Sequence, residues 1–151
     1  MVKRKTSFQN KGFVELITEF IKDGKVILKE GNIQEPVAYH DPCQVGRNAG
    51  FYDEPRYIMK KIAADFRDLA PNKERNWCCG GGGGLVAMLE LEKFRIQTGK
   101  LKAEQIKQTG AKVLVTPCEN CRLQIGNLNE AYSLGIEISS MMDFVVNNMV
   151  I

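Results

Sequence analysis

Two adjacent cysteines followed at once by five glycines constrain this chain more than any other part of its sequence. Cys78 and Cys79 precede an unbroken run from Gly80 to Gly84. A relaxed disulfide between neighbouring cysteines is disfavoured, because a planar trans peptide seldom allows the Cα separation and Cβ orientation that the bond needs. Glycine permits positive φ and a close approach of the backbone. We therefore predict a tight loop whose two thiolates bind one metal centre, and a flexible linker is the alternative.

Three further cysteines bring the total to five. Cys43 stands alone, whereas Cys118 and Cys121 form a C-x-x-C pair. In a reducing compartment free cysteines serve more readily as metal ligands or redox groups than as disulfides, and an odd number favours the same interpretation. Five thiolates overfill one tetrahedral zinc site and exceed the four ligands of an ordinary cubane cluster. A larger or irregular iron–sulfur centre would use all five, while zinc at four of them is the alternative that ligand type leaves open.

Size and composition fit one globular domain. The chain has 151 residues, of which 44% are hydrophobic, enough for a core. Its formal net charge of +3 is small and its basic residues are spread out, so nucleic-acid binding is not indicated. No apolar run approaches the ~20 residues needed to cross a bilayer, and the N-terminus lacks the apolar segment of a secretory signal. We therefore expect a cytoplasmic location, peripheral to a membrane only through partner subunits.

Strand and helix patterns alternate along most of the chain. Apolar residues at helical spacing predict amphipathic helices, and short apolar or β-branched runs predict strands. The alternation indicates an α/β fold with a small, mostly parallel sheet and flanking helices. The predicted helices cover 13–21, 53–63, 85–94, 101–108, 120–132 and 140–149, and the predicted strands cover 36–40, 66–70, 113–115 and 136–138, with a weaker strand pattern at 26–28.

Two of the three cysteine groups directly follow predicted strands. Cys43 comes after the strand at 36–40, and Cys118 comes after the strand at 113–115. The C-terminal ends of parallel strands meet at one edge of a sheet. We therefore expect the cysteine loops to gather at that edge.

At these residues the sequence resembles the cysteine-rich CCG domain found in the B-type and D-type subunits of heterodisulfide reductase and in their relatives. The family pattern is a lone cysteine, a Cys-Cys-Gly some tens of residues later, and a C-x-x-C after a similar interval. The resemblance also takes in Tyr52 to Arg56, so it covers roughly residues 35–150. The matching positions are Cys43, Cys78, Cys79, Gly80, Cys118 and Cys121.

The resemblance implies a function as well as a fold. Domains of this family bind a noncubane [4Fe-4S] cluster and pass electrons toward a disulfide or a related redox partner. The resemblance therefore implies an iron–sulfur subunit of a heterodisulfide-reductase-like oxidoreductase complex, with other redox subunits, some of them membrane-linked, as partners. The alternative is a zinc-binding structural domain that docks a redox partner. The implied ligands of the cluster or metal are Cys43, Cys78, Cys79, Cys118 and Cys121.

The chain departs from the family pattern in two ways that affect its predicted organisation. It carries one copy of the motif, whereas the B-type heterodisulfide reductase protein has two, and the interval from Cys79 to Cys118 is slightly longer than usual. A site with two clusters therefore cannot form within this chain. We predict that residues 36–151 are the cysteine-rich domain and that residues 1–35 are a tail and helix, a remnant of a longer upstream region.

Three residues near the cysteines are candidates for a supporting role, and none is assigned a catalytic one. His40, the only histidine, is a candidate donor to a cluster sulfur or proton source, and a hydrogen-bonded structural role is the alternative. Arg47 could place positive charge where it would raise the cluster potential, or lie on the surface as an ordinary arginine. Gly80 is the glycine on which the turn after the cysteine pair depends.

Overall fold

A four-stranded parallel sheet organises the protein. The structure is a computed structural model and describes residues 10–150. All three strand pairings are parallel, which confirms the predicted α/β fold. In the order β2-β1-β3-β4, the strands are β1 (Val37–Tyr39), β2 (Phe66–Asp68), β3 (Val113–Thr116) and β4 (Glu137–Ser140).

Helices connect and cover these strands. Short helical turns supplement them before and after the cysteine pair, and among the described residues no helix is both long and apolar enough to span a membrane. The helices are α1 (Phe13–Lys22), α2 (Asp53–Ile62), α3 (Glu92–Thr98), α4 (Lys100–Thr109), α5 (Glu119–Ala131) and α6 (Met141–Val146). The shorter turns are a π-helical turn at Gln44–Asn48 and 3₁₀ turns at Lys73–Arg75, Leu85–Ala87 and Leu89–Leu91.

The two faces of the sheet cover two different cores, because side chains alternate along each strand. We call them the aliphatic core and the thiol core. Residues of α1, α2 and α6 pack in the aliphatic core, and residues of α4 and α5 pack in the thiol core. The aliphatic core contains Ile21, Leu28, Val37, Tyr39, Ile58, Met59, Ile62, Ala63, Val113, Val115, Met141, Phe144 and Val145. The thiol core contains Ala38, Leu69, Cys79, Ile106, Ala111, Leu114, Cys121 and Ile125.

The buried face of α1 differs from the predicted one. Its predicted apolar stripe includes Phe13, Leu16 and Phe20, which keep 36–38% of their surface exposed. Val14 and Thr18 are buried instead, and the Thr18 hydroxyl lies 3.5 Å from the carbonyl oxygen of Glu54 in α2. Ile21 of the predicted stripe is buried and Ile17 packs against the aliphatic core, so the buried face of α1 is rotated only partway from the predicted one, toward its contact with α2.

Other boundaries were also wrong. The predicted helix at 85–94 is two 3₁₀ turns followed by α3, because no residue of those turns is buried to hold a longer helix. Asp53 begins α2 rather than capping it, and its carboxylate pairs with Lys73. The weak strand at 26–28 is a single bridge between Leu28 and Met149.

The last predicted helix is correct in its start and wrong in its length. Ser140 caps α6, and its hydroxyl accepts a hydrogen bond from the backbone N–H of Asp143 at 3.0 Å. The helix ends at Val146 rather than at residue 149, and the chain then turns to bring Met149 beside Leu28.

Candidate metal centre

All five cysteines line one cavity of about 130 Å³. The cavity lies where the chain leaves the C-terminal ends of β1 and β3, as the sequence predicts. The five thiols are free, with no disulfide among them. Gln44, Gly82, Gly83 and Asn120 complete the lining. Residues from three separate segments of the chain therefore meet in one small space.

The pairing of the two central strands brings Cys43 and Cys118 together. Val115 of β3 is in register with Tyr39 of β1, and its carbonyl accepts a hydrogen bond from the His40 N–H at 3.0 Å. Cys43 follows His40 after two residues, and Cys118 is the residue that precedes α5. Both thiols therefore leave the sheet at the same edge.

The glycines after the cysteine pair form a packed loop and not a flexible linker. The N–H groups of Gly80 and Gly81 donate to the sulfurs of Cys78 and Cys79 at 3.4 Å, and Gly80 has a φ of 93°. A Cβ on Gly81 would lie 2.8 Å from the Cβ of Gln124 in α5. The loop therefore needs glycine both for its backbone angle and for its close approach to α5.

The thiols divide into a buried pair and a more accessible group. Cys79 and Cys121 are 3% and 5% exposed and their sulfurs are 3.3 Å apart, whereas Cys43, Cys78 and Cys118 are more accessible. The hydrogen bond with Cys121, together with burial, raises the pKa of Cys79 to about 12. Burial also raises the pKa of Cys43. A bound metal cation supplies the positive charge that such thiols need in order to ionise.

His40 lies against the buried pair. One of its ring nitrogens and the sulfurs of Cys79 and Cys121 all lie within 4.8 Å of one another. The ring is fully buried, and neither ring nitrogen has a hydrogen-bond partner among the described residues. Burial lowers the pKa of His40 well below its usual range, so the imidazole is neutral. No hydrogen bond from a described residue holds the ring, and a supporting role of His40 at the metal centre stays a prediction.

Arg47 reaches the accessible side of the cavity. Its Nη1 lies 3.6 Å from the sulfur of Cys43, and its Nε donates to the carbonyl oxygen of Glu74 at 3.1 Å. Its Nη2 donates to the carbonyl oxygen of Asn76. The guanidinium is exposed to solvent, and it joins the first cysteine segment to the chain just before the cysteine pair.

Sequence reasoning missed Lys102, a buried lysine of α4 behind the cysteines. Its ammonium donates to Asn76 Oδ1 at 2.8 Å and to Gln105 Oε1, and the side-chain amide of Asn76 donates to the carbonyl oxygen of Asp41 at 2.6 Å. Burial lowers the pKa of Lys102 to about 8. One lysine among the polar residues of a helix gives no sequence signal, so only the fold identifies it.

A second buried cation, Arg56, fixes the chain before Cys43. The guanidinium donates to both carboxylate oxygens of Asp41 at 2.8 Å and to both of Asp68 at 2.7 and 2.8 Å. Asp41 also accepts a hydrogen bond from the Lys73 N–H at 2.9 Å. Arg56 belongs to the Tyr52–Arg56 stretch that resembles the family, but its partners were not predicted.

The donor set of the cavity fits a soft metal centre. Thiolates bind zinc, Cu(I) and iron–sulfur clusters, and imidazole binds zinc and iron. Five sulfur atoms are more than one tetrahedral ion can use. Backbone N–H groups directed at two of the sulfurs are the kind of hydrogen bond that sets cluster potentials. The residues present are therefore suited to a polynuclear centre with sulfur ligands.

Comparison with known proteins gives relatives with iron–sulfur roles. The chain is 28% identical over 143 residues to the Hdr-like menaquinol oxidoreductase iron-sulfur subunit 2 of Archaeoglobus fulgidus. The matched region covers 91% of this chain and 26% of the relative. It is 29% identical over 133 residues to a subunit of the dihydromethanophenazine:CoB–CoM heterodisulfide reductase of Methanosarcina barkeri, over 85% of this chain and 32% of the relative. It is 31% identical over 118 residues to the probable iron-sulfur-binding oxidoreductase FadF of Bacillus subtilis, over 78% of this chain and 16% of the relative.

These relatives are longer proteins, and the chain spans about a third of their length or less. The family model for the CCG cysteine-rich domain matches residues 37–126, which is more than half of the chain. The match begins at β1 and ends within α5, so it includes all five cysteines. The chain therefore belongs to the CCG cysteine-rich domain family.

Proposed function

We propose that the chain is an iron–sulfur electron-transfer subunit of a heterodisulfide-reductase-like oxidoreductase. The observation that carries the proposal is that all five cysteines line one cavity. The relatives named above support it, since their names identify iron–sulfur or heterodisulfide reductase proteins. The cofactor that we propose is a noncubane [4Fe-4S] cluster, which would use the thiolates of Cys43, Cys78, Cys79, Cys118 and Cys121.

The surrounding residues have separate roles in this proposal. When bound, the cluster accepts and donates electrons. Gly80 and Gly81 direct N–H groups at two ligand sulfurs, and Arg47 places its guanidinium beside the sulfur of Cys43. His40, neutral and without a partner among the described residues, is placed to donate a ring N–H into the centre. Hydrogen bonds and positive charge of this kind favour the reduced state.

The proposed partners are other redox subunits, through which the chain would associate peripherally with a membrane. Relatives named as subunits of oxidoreductases support this proposal. A thiol or disulfide is the proposed substrate class, approaching on the side of Cys78, which is the exposed cysteine. The proposed cysteine-rich domain begins at residue 36. The preceding helix α1 packs on it, since Ile21 lies in the aliphatic core.

Zinc binding for a structural role is the second candidate, and one observation favours it. The ligand atoms of His40, Cys79 and Cys121 already lie within 4.8 Å of one another, which is compact enough for one ion. Zinc commonly takes cysteine and histidine ligands in tetrahedral sites. Such a site would need one further cysteine and would leave the remaining thiols free.

Anaerobic purification and reconstitution with iron and sulfide distinguish the two candidates. An iron–sulfur subunit takes up about four iron and four sulfide per chain, and its oxidised or reduced form gives an EPR signal. Stoichiometric zinc that iron and sulfide do not replace would overturn the proposed function.

Replacing single cysteines by serine then tests the ligand set. The five-thiolate proposal predicts that Cys43→Ser and Cys118→Ser each change the EPR spectrum or abolish iron uptake. A zinc site built on His40, Cys79 and Cys121 predicts that at least one of these two variants keeps full zinc binding. The wild-type protein, reconstituted in parallel, is the reference for metal content.

A further inference from the structure

Lys102 is a buried cation whose hydrogen-bond partners are both neutral. Only 1% of its surface is exposed, and its ammonium donates to the amide oxygens of Asn76 and Gln105. In the described part of the chain, ion pairs within 4.0 Å include the nearby Lys100 but not Lys102. No carboxylate of residues 10–150 therefore lies within 4.0 Å of the Lys102 ammonium.

Such a charge is costly unless something compensates for it. Burying an ionised group away from water is unfavourable, and proteins usually offset it with a paired charge or a metal site. A lysine with an exposed position or an acidic neighbour would avoid this cost, as Lys100 does with Glu104. The burial of Lys102 therefore indicates a source of negative charge nearby.

Two sources of negative charge are near Lys102: the Asp41 carboxylate, which Arg56 already pairs, and the thiols of the cysteine cavity, which no cation among the described residues pairs as closely. Asn76 holds the ammonium, stands two residues before Cys78, and donates to the carbonyl oxygen of Asp41, two residues before Cys43. Burial lowers the pKa of Lys102, and negative charge on Cys79, on the carboxylate of Asp41, and on Cys121 and Cys78 opposes that effect. Lys102 therefore lies behind two of the three ligand segments, within reach of their field.

We propose that Lys102 is a positioning residue whose fixed positive charge offsets the thiolate-bound centre and raises its reduction potential. This inference rests on the proposed function. Reduction adds negative charge to the centre, and a buried cation stabilises that charge more strongly than an exposed one because water screens it less. Its hydrogen bonds to Asn76 and Gln105 hold the cation in place without neutralising it.

The test compares the midpoint potentials of Lys102→Gln, Lys102→Arg and Lys100→Gln in the reconstituted protein. We expect Lys102→Gln to lower the equilibrium constant for reduction at least tenfold, which is ~59 mV for one electron. Lys102→Arg keeps the charge, so its equilibrium constant for reduction should stay within about threefold of the wild-type value. Lys100→Gln, an exposed position on the same helix, leaves the potential unchanged. Equal shifts in the Gln and Arg variants, or none in the Gln variant, would overturn the inference.

Gln105→Glu provides a second test that keeps Lys102 itself. Its carboxylate would stand where the amide oxygen now accepts the ammonium hydrogen bond, and it would neutralise the cation while losing the amide hydrogen bond to the carbonyl oxygen of Pro71. We expect the potential to fall here as well, and this variant decides the question if Lys102→Gln does not fold. A wild-type protein that takes up no iron refutes the proposed function, whereas normal clusters with unchanged potentials in both variants refute only the inference.

Discussion

Arg56 and Lys102 are both buried cations next to the cysteine segments, but they are compensated in opposite ways. Arg56 is 5% exposed and donates to two carboxylates, Asp41 and Asp68, with an aromatic ring, Tyr39, 5.6 Å away. Lys102 is 1% exposed and donates only to neutral oxygens. One charge is therefore paired within the protein, and the other is left for a group that binds there.

The difference separates a buried cation that stabilises the fold, Arg56, from one whose charge remains available to a bound group, Lys102. The Arg56 network joins α2 and β2 to the loop before Cys43, so it is complete without a metal. The Lys102 network costs free energy in the metal-free protein and is balanced only when the centre is formed. Four experiments test this contrast between a structural cation and an available one.

The largest expected loss of stability follows the removal of the paired cation, Arg56. Arg56→Gln leaves the buried carboxylate of Asp41 without its guanidinium, which costs about 3–5 kcal/mol of the free energy of unfolding. Urea denaturation of the metal-free, reduced protein, followed by circular dichroism, measures the loss. A loss below about 1 kcal/mol would mean that the Arg56 network does not hold the fold, because only exposed pairs contribute so little.

The pH dependence of stability should come from Lys102 and not from Arg56. The pKa of Lys102 is lowered by burial from 10.5 to about 8, so between these values the unfolded chain binds more protons than the folded one. Stability therefore rises with pH in this window and is unaffected by Lys102 below it. Relative to Lys102→Gln, the metal-free wild type should gain up to about 3 kcal/mol between pH 7.5 and 10.5.

This comparison isolates the lysine, because the cysteines titrate in both proteins. The hydrogen bonds from Arg56 to Asp41 and Asp68 outweigh the effect of burial and raise the pKa of Arg56, so it stays charged throughout. Urea denaturation at several pH values gives the difference in the free energy of unfolding. If the stability difference between the two proteins does not change with pH, the pKa of Lys102 is not lowered by folding.

A smaller effect on stability is expected in the glycine loop after the cysteine pair, which carries no charge and packs against α5. Gly81→Ala forces a Cβ to within 2.8 Å of Gln124 and 3.2 Å of the Asn120 carbonyl oxygen, which costs about 1–3 kcal/mol. The loop shift should also reduce metal uptake, measured as iron or zinc per chain. Gly82→Ala is the control for the stability of the metal-free protein only, because Gly82 lines the cavity; its Cβ meets no protein atom within 4 Å, so stability should change by less than about 0.5 kcal/mol.

The smallest effect is expected for a cation paired at the surface. Arg67 forms an ion pair with Asp65 at 2.6 Å, and both side chains are more than a third exposed. Because water and salt screen such pairs, Arg67→Gln should cost about 0–1 kcal/mol. Urea denaturation at low and high salt checks this value. A loss as large as that of Arg56→Gln would mean that burial does not distinguish the two arginines.

The parts of the site that depend on neighbouring residues could be predicted from the sequence. The cysteine positions after β1 and β3, and the need for glycine after the cysteine pair, follow from residue types within a few positions of each other. The parallel sheet follows from alternating strand and helix patterns. Strand ends and thiols are local features, and local features can be recognised in one sequence.

The charge environment could not be predicted, because it depends on residues far apart in the chain. Lys102 meets Asn76 across 26 positions, and Arg56 meets Asp41 across 15. The partial rotation of the buried face of α1 has the same origin, since Thr18 is buried where α1 meets α2. Packing between distant segments selects these partners, and hydrophobic periodicity contains no information about it.

The neighbouring positions of β1 and β3 also affect the order in which the protein can assemble. The chain from the end of β1 to the start of β3 includes β2, the cysteine pair and three helices, and it forms the connection between the two paired strands. Contacts between residues so far apart form late and slowly in folding. The cavity is complete only when Cys121 has reached Cys79, so a chain synthesised no further than the cysteine pair offers an incomplete set of thiols.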